Sequence, residues 1–546
     1  LSSNGNTIAA TNYNYHFVDF LRSRTNSRYN DSTDPDAVLE SDGIKWVNIS
    51  NPMRKTSLEN MVEFPEILSN DKTRFFAKDT THPIWIKLKI PENTEPGDYT
   101  GTINIATTST TYTVPISVAV KDVTIPASND SNAFDIEIWS QLVGNFDTEV
   151  DVIVDAYNIE VESEEWWTVM NSFATLMKEN RLNVLMLNQT ELLLRGENTH
   201  INEDGTYTFD WSFFNEFVTF FKDYADIKLF ALGPLAQYKA NPRNYNNDIE
   251  GEEKNDYTQA YVEIIANDDS GNAISSLLDV NLSALILKRD IPAMNYVEEY
   301  AKSLNDNLEK MGWKDIFYHH IIDEPGKDQQ ASLYPFLEAK ISENVTGLKT
   351  GDAFTVWTAE QQSKHTEIFA IMLYSYEELT DRMQNALKPD DTLWLYTSSV
   401  PIKDNYLNRA IDQPVWFMEM LGYLAYKRGA TGYLHWGLNQ WNTWTRDYIS
   451  FPNYPRDEMW DKVMGDASSV YPDIENLSLR SSIRVEALRE TSELVSILWI
   501  AEQKNPEQTK ELVDSLIEDG RNYETDINKI IAAYETALAI ASENVE

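Results

Sequence analysis

The chain has 546 residues, with 45 Lys and Arg against 87 Asp and Glu, a net charge of −42 and no cysteine. That sign argues against nucleic acid and anionic lipid as partners, because both need a cationic surface; the missing thiols exclude disulfides, zinc ribbons and cysteine nucleophiles. No apolar run reaches membrane-spanning length, and so long a chain predicts about three domains or one large barrel with appendages.

The opening LSSNGNT reads as a processed or trimmed start rather than a signal peptide. Residues 1–126 read as β-rich. Ile84, Ile86, Leu88 and Ile90 alternate with Trp85, Lys87 and Lys89, the period of a strand with one buried face. Pro96–Tyr99 is a turn cluster, and Val114, Ile116, Val118 and Val120 alternate again. Strands joined by polar turns, without helices, predict an antiparallel β-sandwich. Ile125–Ser128 is its exit linker.

Residues 127–474 then alternate short apolar runs with amphipathic helices. The runs are Phe134–Trp139, Val184–Leu187, Leu229–Leu232, Ile316–Ile322, Phe354–Trp357, Ile368–Leu373, Leu393–Tyr396 and Tyr433–Trp436. Ser163 and Asp210 are the caps expected for two of the intervening helices. Eight runs predict an α/β fold with a (β/α)8 barrel. The fifth and sixth runs lie too close for a full helix, so either that helix is missing or one strand is misplaced. The alternative is a doubly wound open sheet, but the glycine-rich phosphate loop usual there is absent. Residues 240–275 predict an inserted loop. Within it, Asn267–Asn272 faintly resembles a calcium loop but lacks its ligand spacing, which favours a solvated turn. Residues 475–546 predict helices packed on the barrel flank.

Catalytic groups of a barrel gather at the C-terminal ends of its strands. Asp323 and Glu324 follow a long apolar strand there, and Pro325 ends the ladder. Neighbours on an ideal strand point to opposite faces, so both carboxylates reach one pocket only if the chain bends. Solvated Asp–Glu pairs are common, which keeps the bland reading open. Strand-end aromatics strengthen the other one, since sugar rings pack an apolar face on aromatic side chains. They are Trp139, Trp357, Tyr396, Trp436, Trp441 and Trp444; half or more of such residues belong to a core. The substrate-contacting set drawn from these ends is Tyr396, Trp436, Asn439, Trp441, His320 and Trp357. His319 and His320 alternate, so one faces the barrel and the other a helix, and neither reads as a metal ligand. No metal or cofactor is expected, and the seven scattered His show no HExxH spacing.

Ile321-Ile322-Asp323-Glu324-Pro325, the aromatic stretch Gly432–Trp436 with Asn439 and Trp441, Trp394–Thr397, and a closing signature of Gly465-Asp466, Val470-Tyr471-Pro472 and Ser481–Arg489 resemble glycoside hydrolase family 123. The resemblance implies a β-sandwich before a (β/α)8 barrel. It also implies an exo-acting, retaining β-N-acetylgalactosaminidase, whose partner is a glycan or glycolipid with terminal N-acetylhexosamine. In its substrate-assisted scheme Asp323 orients the 2-acetamido group and Glu324 is the acid and base, with Tyr396 on the acetamide oxygen and Trp436 against its methyl. The chain departs from the family in lacking a cysteine pair, in carrying His435 where an Arg precedes the tryptophan, and in the segment after Arg489. These departures put the sugar in doubt. The alternatives are a non-catalytic glycan-binding surface protein and a glycosidase for another sugar, for which Glu137, Glu360 and Glu419 are conceivable nucleophiles. A secreted or cell-surface bacterial protein is expected.

Overall fold

A computed structural model of the chain describes every residue except 24–37, 42–43, 48–61, 77–79, 145–150, 239–259, 281, 288, 290, 326–328, 399–405, 412, 442–464 and 543–546. Eight parallel strands close into a barrel. They are β1 (Asp135–Ile138), β2 (Val184–Leu187), β3 (Leu229–Leu232), β4 (Phe317–His319), β5 (Lys349–Phe354), β6 (Ile368–Met372), β7 (Thr392–Tyr396) and β8 (Gly432–His435). β8 pairs with β1 from Asp135↔Gly432 to Ile138↔His435. Closure removes the edges that a doubly wound sheet would expose.

The apolar runs are continuous because each strand is covered on both faces. Val184, Met186, Ala231, Tyr318, Ala353, Trp394, Tyr396 and Leu434 fill the interior, while Leu185, Leu187, Phe230 and Phe354 pack outward under the helices. The interior is crowded by rings: a Cβ on Gly432 would come within 2.6 Å of the Trp394 indole, so β8 must start on glycine.

A helix follows every strand: α1 (Glu164–Glu179), α2 (Ser212–Tyr224), α3 (Pro292–Met311), α4 (Gln329–Asn344), α5 (Val356–Gln362), α6 (Thr380–Ala386), α7 (Phe417–Arg428) and α8 (Ile483–Lys504). Ser163 caps α1 by accepting from the Trp166 amide at 3.1 Å. The stripe Trp166, Val169, Met170, Phe173 and Met177 is buried. The N-cap of α2 is Trp211 rather than Asp210, which lies one residue earlier and accepts from the Ser212 amide at 3.0 Å. α8 lies in the predicted C-terminal helical segment and is the eighth helix of the barrel, with Trp499 packed on Phe134. Pro506–Leu516 and Ile527–Ala541 follow it.

Two further expectations are corrected. β5 is not Phe354–Trp357 but Lys349–Phe354, and the seven-residue α5 fits into the gap that had looked too short. β5 carries buried Thr350 and Asp352, so it lacks the continuous apolar run that marks the other strands. Of the loop expected over residues 240–275, residues 240–259 lie outside the described residues, and the remainder is not an irregular loop. Ala260–Asn267 and Ala273–Val280 form an antiparallel hairpin, extended to three strands by Ala236–Tyr238. Val262, Ile264 and Ile265 anchor it in the barrel core. At the hairpin tip Asp268 accepts from the Ser270 and Asn272 amides at 2.8 Å, with Gly271 at φ 87°, which is the solvated turn.

The N-terminal region forms antiparallel sheets. Tyr13–Ser23 pairs with Val62–Leu68 and Ile84–Leu88, and Gly97–Ala106 pairs with Thr111–Val120. Glu66 docks this region on the barrel: its Oε1 accepts from Arg484 Nη2 at 2.7 Å and from the Tyr471 hydroxyl at 3.0 Å. The Leu68 amide donates to Ser481 at 2.9 Å beside it. The closing signature residues therefore join the N-terminal strand to the start of α8. Among the described residues, no helix is long and apolar enough to cross a membrane.

Candidate active site

β4 carries alternating side chains to opposite environments. Tyr318 enters the interior, whereas His319 faces outward and meets the Tyr300 hydroxyl of α3 at 3.2 Å. Burial pulls the His319 imidazole down to about 3, so it is neutral. His320 lies on the other side, 1 % exposed. Its Nε2 is 3.3 Å from Glu137 Oε1 and its Nδ1 is 3.0 Å from Asp352 Oδ1. Burial disfavours its charge, but Glu137 and the bond to Asp352 outweigh burial and push the imidazole up to about 10. His320 is therefore an imidazolium at neutral pH, donating to a carboxylate on each side.

The same carboxylates have other tasks. Glu137 Oε2 accepts from the Tyr318 hydroxyl at 2.5 Å, and Oε1 accepts from the Trp139 indole at 3.0 Å. Asp352 Oδ2 accepts from the Ile321 amide at 2.8 Å. The β4–β5 ladder ends at His319↔Thr350, so the Asp352 carboxylate takes the place of a backbone carbonyl where the two strands part.

Beyond it the chain bends. Ile322 makes a single bridge to Ala236, and Glu324 then adopts φ 42°, a left-handed conformation that costs a side-chain-bearing residue roughly 1–2 kcal/mol. The bend breaks the strand alternation at Glu324, and the charges of both acids act on the same phenol, that of Tyr396. Glu324 is exposed and Asp323 partly so. The Tyr396 hydroxyl at the end of β7 donates to Glu324 Oε1 at 2.5 Å. Burial first, then the charges of Glu324 and Asp323, raise that phenol well above its usual range, so it stays a proton donor.

At the end of β8 the Trp436 indole donates to Asp466 Oδ2 at 2.8 Å. Asp466 Oδ1 is 3.1 Å from His435 Nε2. His435 Nδ1 accepts from Arg409 Nη2 at 2.6 Å and from the Gly437 amide at 3.0 Å. Burial, with Arg409 and Arg484 nearby, drives the His435 imidazole well below its ordinary value, so it is neutral with its proton on Nε2. A buried guanidinium, that of Arg409 from another segment, thus lies against the His435 ring that precedes the tryptophan.

Asp323, Glu324 and Tyr396 meet at the mouth of the barrel. Three other expected contact residues are occupied elsewhere. His320 is sealed between its carboxylates. Asn439 is 0 % exposed and its amide exchanges bonds with the Gln141 backbone at 2.8 Å in both directions, tying the β1 loop to the β8 loop. Trp441 is a core residue, packed on Tyr157 and Phe173 with its indole on the Val470 carbonyl at 3.0 Å. The Trp357 side chain and Trp444 lie outside the described residues. Sequence reasoning missed Asp352 and Arg409; the one available signal was an acid within a barrel strand. Among the described residues, no cluster of three or more acids and histidines is arranged to hold a metal ion.

Comparison with known proteins agrees with this architecture. Residues 148–501 match the family model "Glycoside hydrolase 123, catalytic domain", and residues 1–107 match "Glycoside hydrolase 123 N-terminal domain". Among solved structures, a family 123 glycoside hydrolase from Clostridium perfringens, described for glycolipid glycan hydrolysis, is similar at TM-score 0.65 and 16% identity, over 98% of this chain and 86% of that one. A cold-adapted β-galactosidase from Rahnella sp. R3 is similar at TM-score 0.38 and 10% identity, over 69% of this chain and 57% of that one. No curated protein sequence matches. With its catalytic and N-terminal models both matched, over more than half of its length, this chain belongs to glycoside hydrolase family 123.

Proposed function

We propose that this family 123 glycoside hydrolase is a retaining exo-β-N-acetylgalactosaminidase that uses the substrate's own acetamido group as nucleophile. The observation that carries the reading is the left-handed bend at Glu324, which lets two sequence-adjacent carboxylates act beside one buried phenol. The acetamide oxygen attacks the anomeric carbon as Glu324 protonates the leaving oxygen. Asp323, as the anion, orients the acetamide N–H and stabilises the positive charge that develops on the oxazolinium. Glu324 then deprotonates water, which opens that intermediate, and two inversions give retention. The scheme is one of the substrate-assisted exceptions to the two-carboxylate separation rule. Adjacent acids suit it, because like charges resist joint ionisation and so favour one protonated and one anionic group. Once Glu324 is protonated it no longer needs the phenolic proton of Tyr396, which then turns to the acetamide oxygen, and Trp436 gives an apolar wall for the methyl. Membership of a family with a glycolipid-glycan hydrolase supports glycans as substrate.

A protein nucleophile for another sugar is disfavoured by where the other acids lie. Glu137 is 0 % exposed with both oxygens engaged. Glu360 is paired with Arg382, and Glu419 belongs to the outer helix α7.

Hydrolysis of aryl β-N-acetylgalactosaminide, β-N-acetylglucosaminide and β-galactoside tests the proposal. Turnover of the first alone is expected, falling about 10²–10⁴-fold in Glu324→Gln and comparably in Asp323→Asn. A folded protein inactive on all three would overturn it and favour a glycan-binding role or an unrelated sugar.

A further inference from the structure

The mechanism above leaves a buried charged cluster unused. Glu137, His320 and Asp352 are 0–1 % exposed, and burying three ionisable groups costs free energy unless each is paired and bonded. Their bonds run in two directions. Through Asp352 Oδ2, the cluster holds the Ile321 amide at 2.8 Å, two residues before Asp323. Through Glu137 Oε1, it holds the Trp139 indole at 3.0 Å, and the His320 ring stands edge-on to that indole with centroids 5.6 Å apart. Trp139 is partly exposed at the end of β1. The cluster thus ties an aromatic side chain on one strand to the chain segment that bears both reacting acids on another.

We propose that His320, clamped between Glu137 and Asp352, is a positioning residue that fixes the Asp323–Glu324 turn and orients the Trp139 ring. This rests on reading Asp323 and Glu324 as the reacting groups. The physical reason is preorganisation: the bend at Glu324 is intrinsically unfavourable, so the surrounding bonds must hold it. Asp352 can hold the turn only while its other oxygen is satisfied, and His320 satisfies it. The charge of His320 also offsets the two carboxylates next to a site that must keep one acid protonated and another anionic. The other titratable groups facing the cluster are Tyr318, Tyr334 and Asp135, and Tyr318 and Tyr334 stay protonated, their phenols raised well above the usual range chiefly by burial.

His320→Gln and Asp352→Asn test the proposal in the full chain. Gln can bond both neighbours without charge, and Asn keeps a single acceptor oxygen where the carboxylate offers two. Three readouts are taken: the split between kcat and KM on the aryl glycoside, the alkaline limb of the pH–kcat/KM profile, and amide exchange across residues 321–324. Expected are a kcat loss of about 10²-fold with KM nearly unchanged, exchange about tenfold faster at the turn, and, in His320→Gln, an alkaline limb displaced upward by about half a pH unit or more, since the variant leaves the charges of Glu137 and Asp352 uncompensated beside the site. A merely structural role would not move that limb. Unchanged kcat, limb and exchange in both variants would overturn the inference. If the wild type hydrolyses no N-acetylhexosaminide, the functional reading fails, and exchange at residues 321–324 alone decides: faster exchange in the variants supports positioning and unchanged exchange overturns it.

Discussion

Two buried histidines stand at the mouth of this barrel, and their neighbours give them opposite charge. His320, at the end of β4, lies between two carboxylates and is pushed up to about 10. His435, at the end of β8, lies between Arg409 and Asp466 and is driven well below its ordinary value. Burial opposes the charged form of both rings. The difference is made by the second neighbour, a carboxylate in one case and a guanidinium in the other. Each ring spaces out charges beneath a different feature of the site. The His320 side holds a strained turn with two acids, and the His435 side holds the indole of Trp436. The residue type alone therefore says little about role; the partners supplied by distant strands decide it.

The largest effect expected from breaking this contrast is on the β8 side. Arg409→Met removes a buried guanidinium that offsets the charge of the buried Asp466 carboxylate and donates to His435. Stability should fall by about 3–5 kcal/mol, the usual result of removing one member of a buried charged set. Urea melts at neutral pH measure it. A loss under about 1 kcal/mol would mean that Arg409 serves by packing rather than charge.

The contrast also sets two opposite pH windows. A free imidazole titrates near 6.5. The His320 imidazole holds its proton more tightly when folded, so its contribution is complete below about 6.5 and is lost progressively as pH rises through about 10. The His435 imidazole holds its proton less tightly when folded, so its contribution is present above about 6.5 and is lost as pH falls. His320→Gln should therefore flatten the alkaline decline of stability, and His435→Gln the acid decline. Thermal melts across both ranges check this, and identical slopes in wild type and variants would sink the charge assignments.

Much of this was legible along the chain, and what was not has a common cause. Seven of the eight strands show as apolar runs because both faces of a barrel strand are covered. β5 does not, since Asp352 serves the seam with β4 and Thr350 bonds the segment that leads into β6. The hairpin over residues 260–280 hides for a related reason: Val262, Ile264 and Ile265 on one strand and Val280 at the end of the other are buried in the core, without a regular alternation along either strand. The acid pair stands out because Asp323-Glu324-Pro325 closes a long apolar strand. Its support does not, because residues 137, 320 and 352 are brought together by barrel closure alone. Asn439 and Trp441 fall in an aromatic, amide-rich stretch that suggests a sugar surface, yet their polar atoms are taken by the backbone of Gln141 and Val470. Composition cannot tell a ring facing a ligand from a ring facing a helix.

The smallest effect, and the sharpest test of the β8 side, is Asp466→Asn. The native carboxylate gives one oxygen to the His435 Nε2–H and the other to the Trp436 indole. An amide has a single acceptor oxygen, so one of these donors must face an NH2 group and lose its bond, at a cost of about 1 kcal/mol. His435 is wholly buried and held by Arg409 and Gly437, so the amide oxygen should turn to it and the half-buried indole should be the donor released. If Trp436 walls the acetamide methyl, a looser ring should raise KM about five-fold and leave kcat within a factor of two, because the acids on β4 are held by a separate set of bonds. A fall in kcat of the size expected for His320→Gln would instead mean that the two sides of the mouth are coupled. An unchanged KM would remove Trp436 from the sugar site and leave its indole, like that of Trp441, as part of the packing.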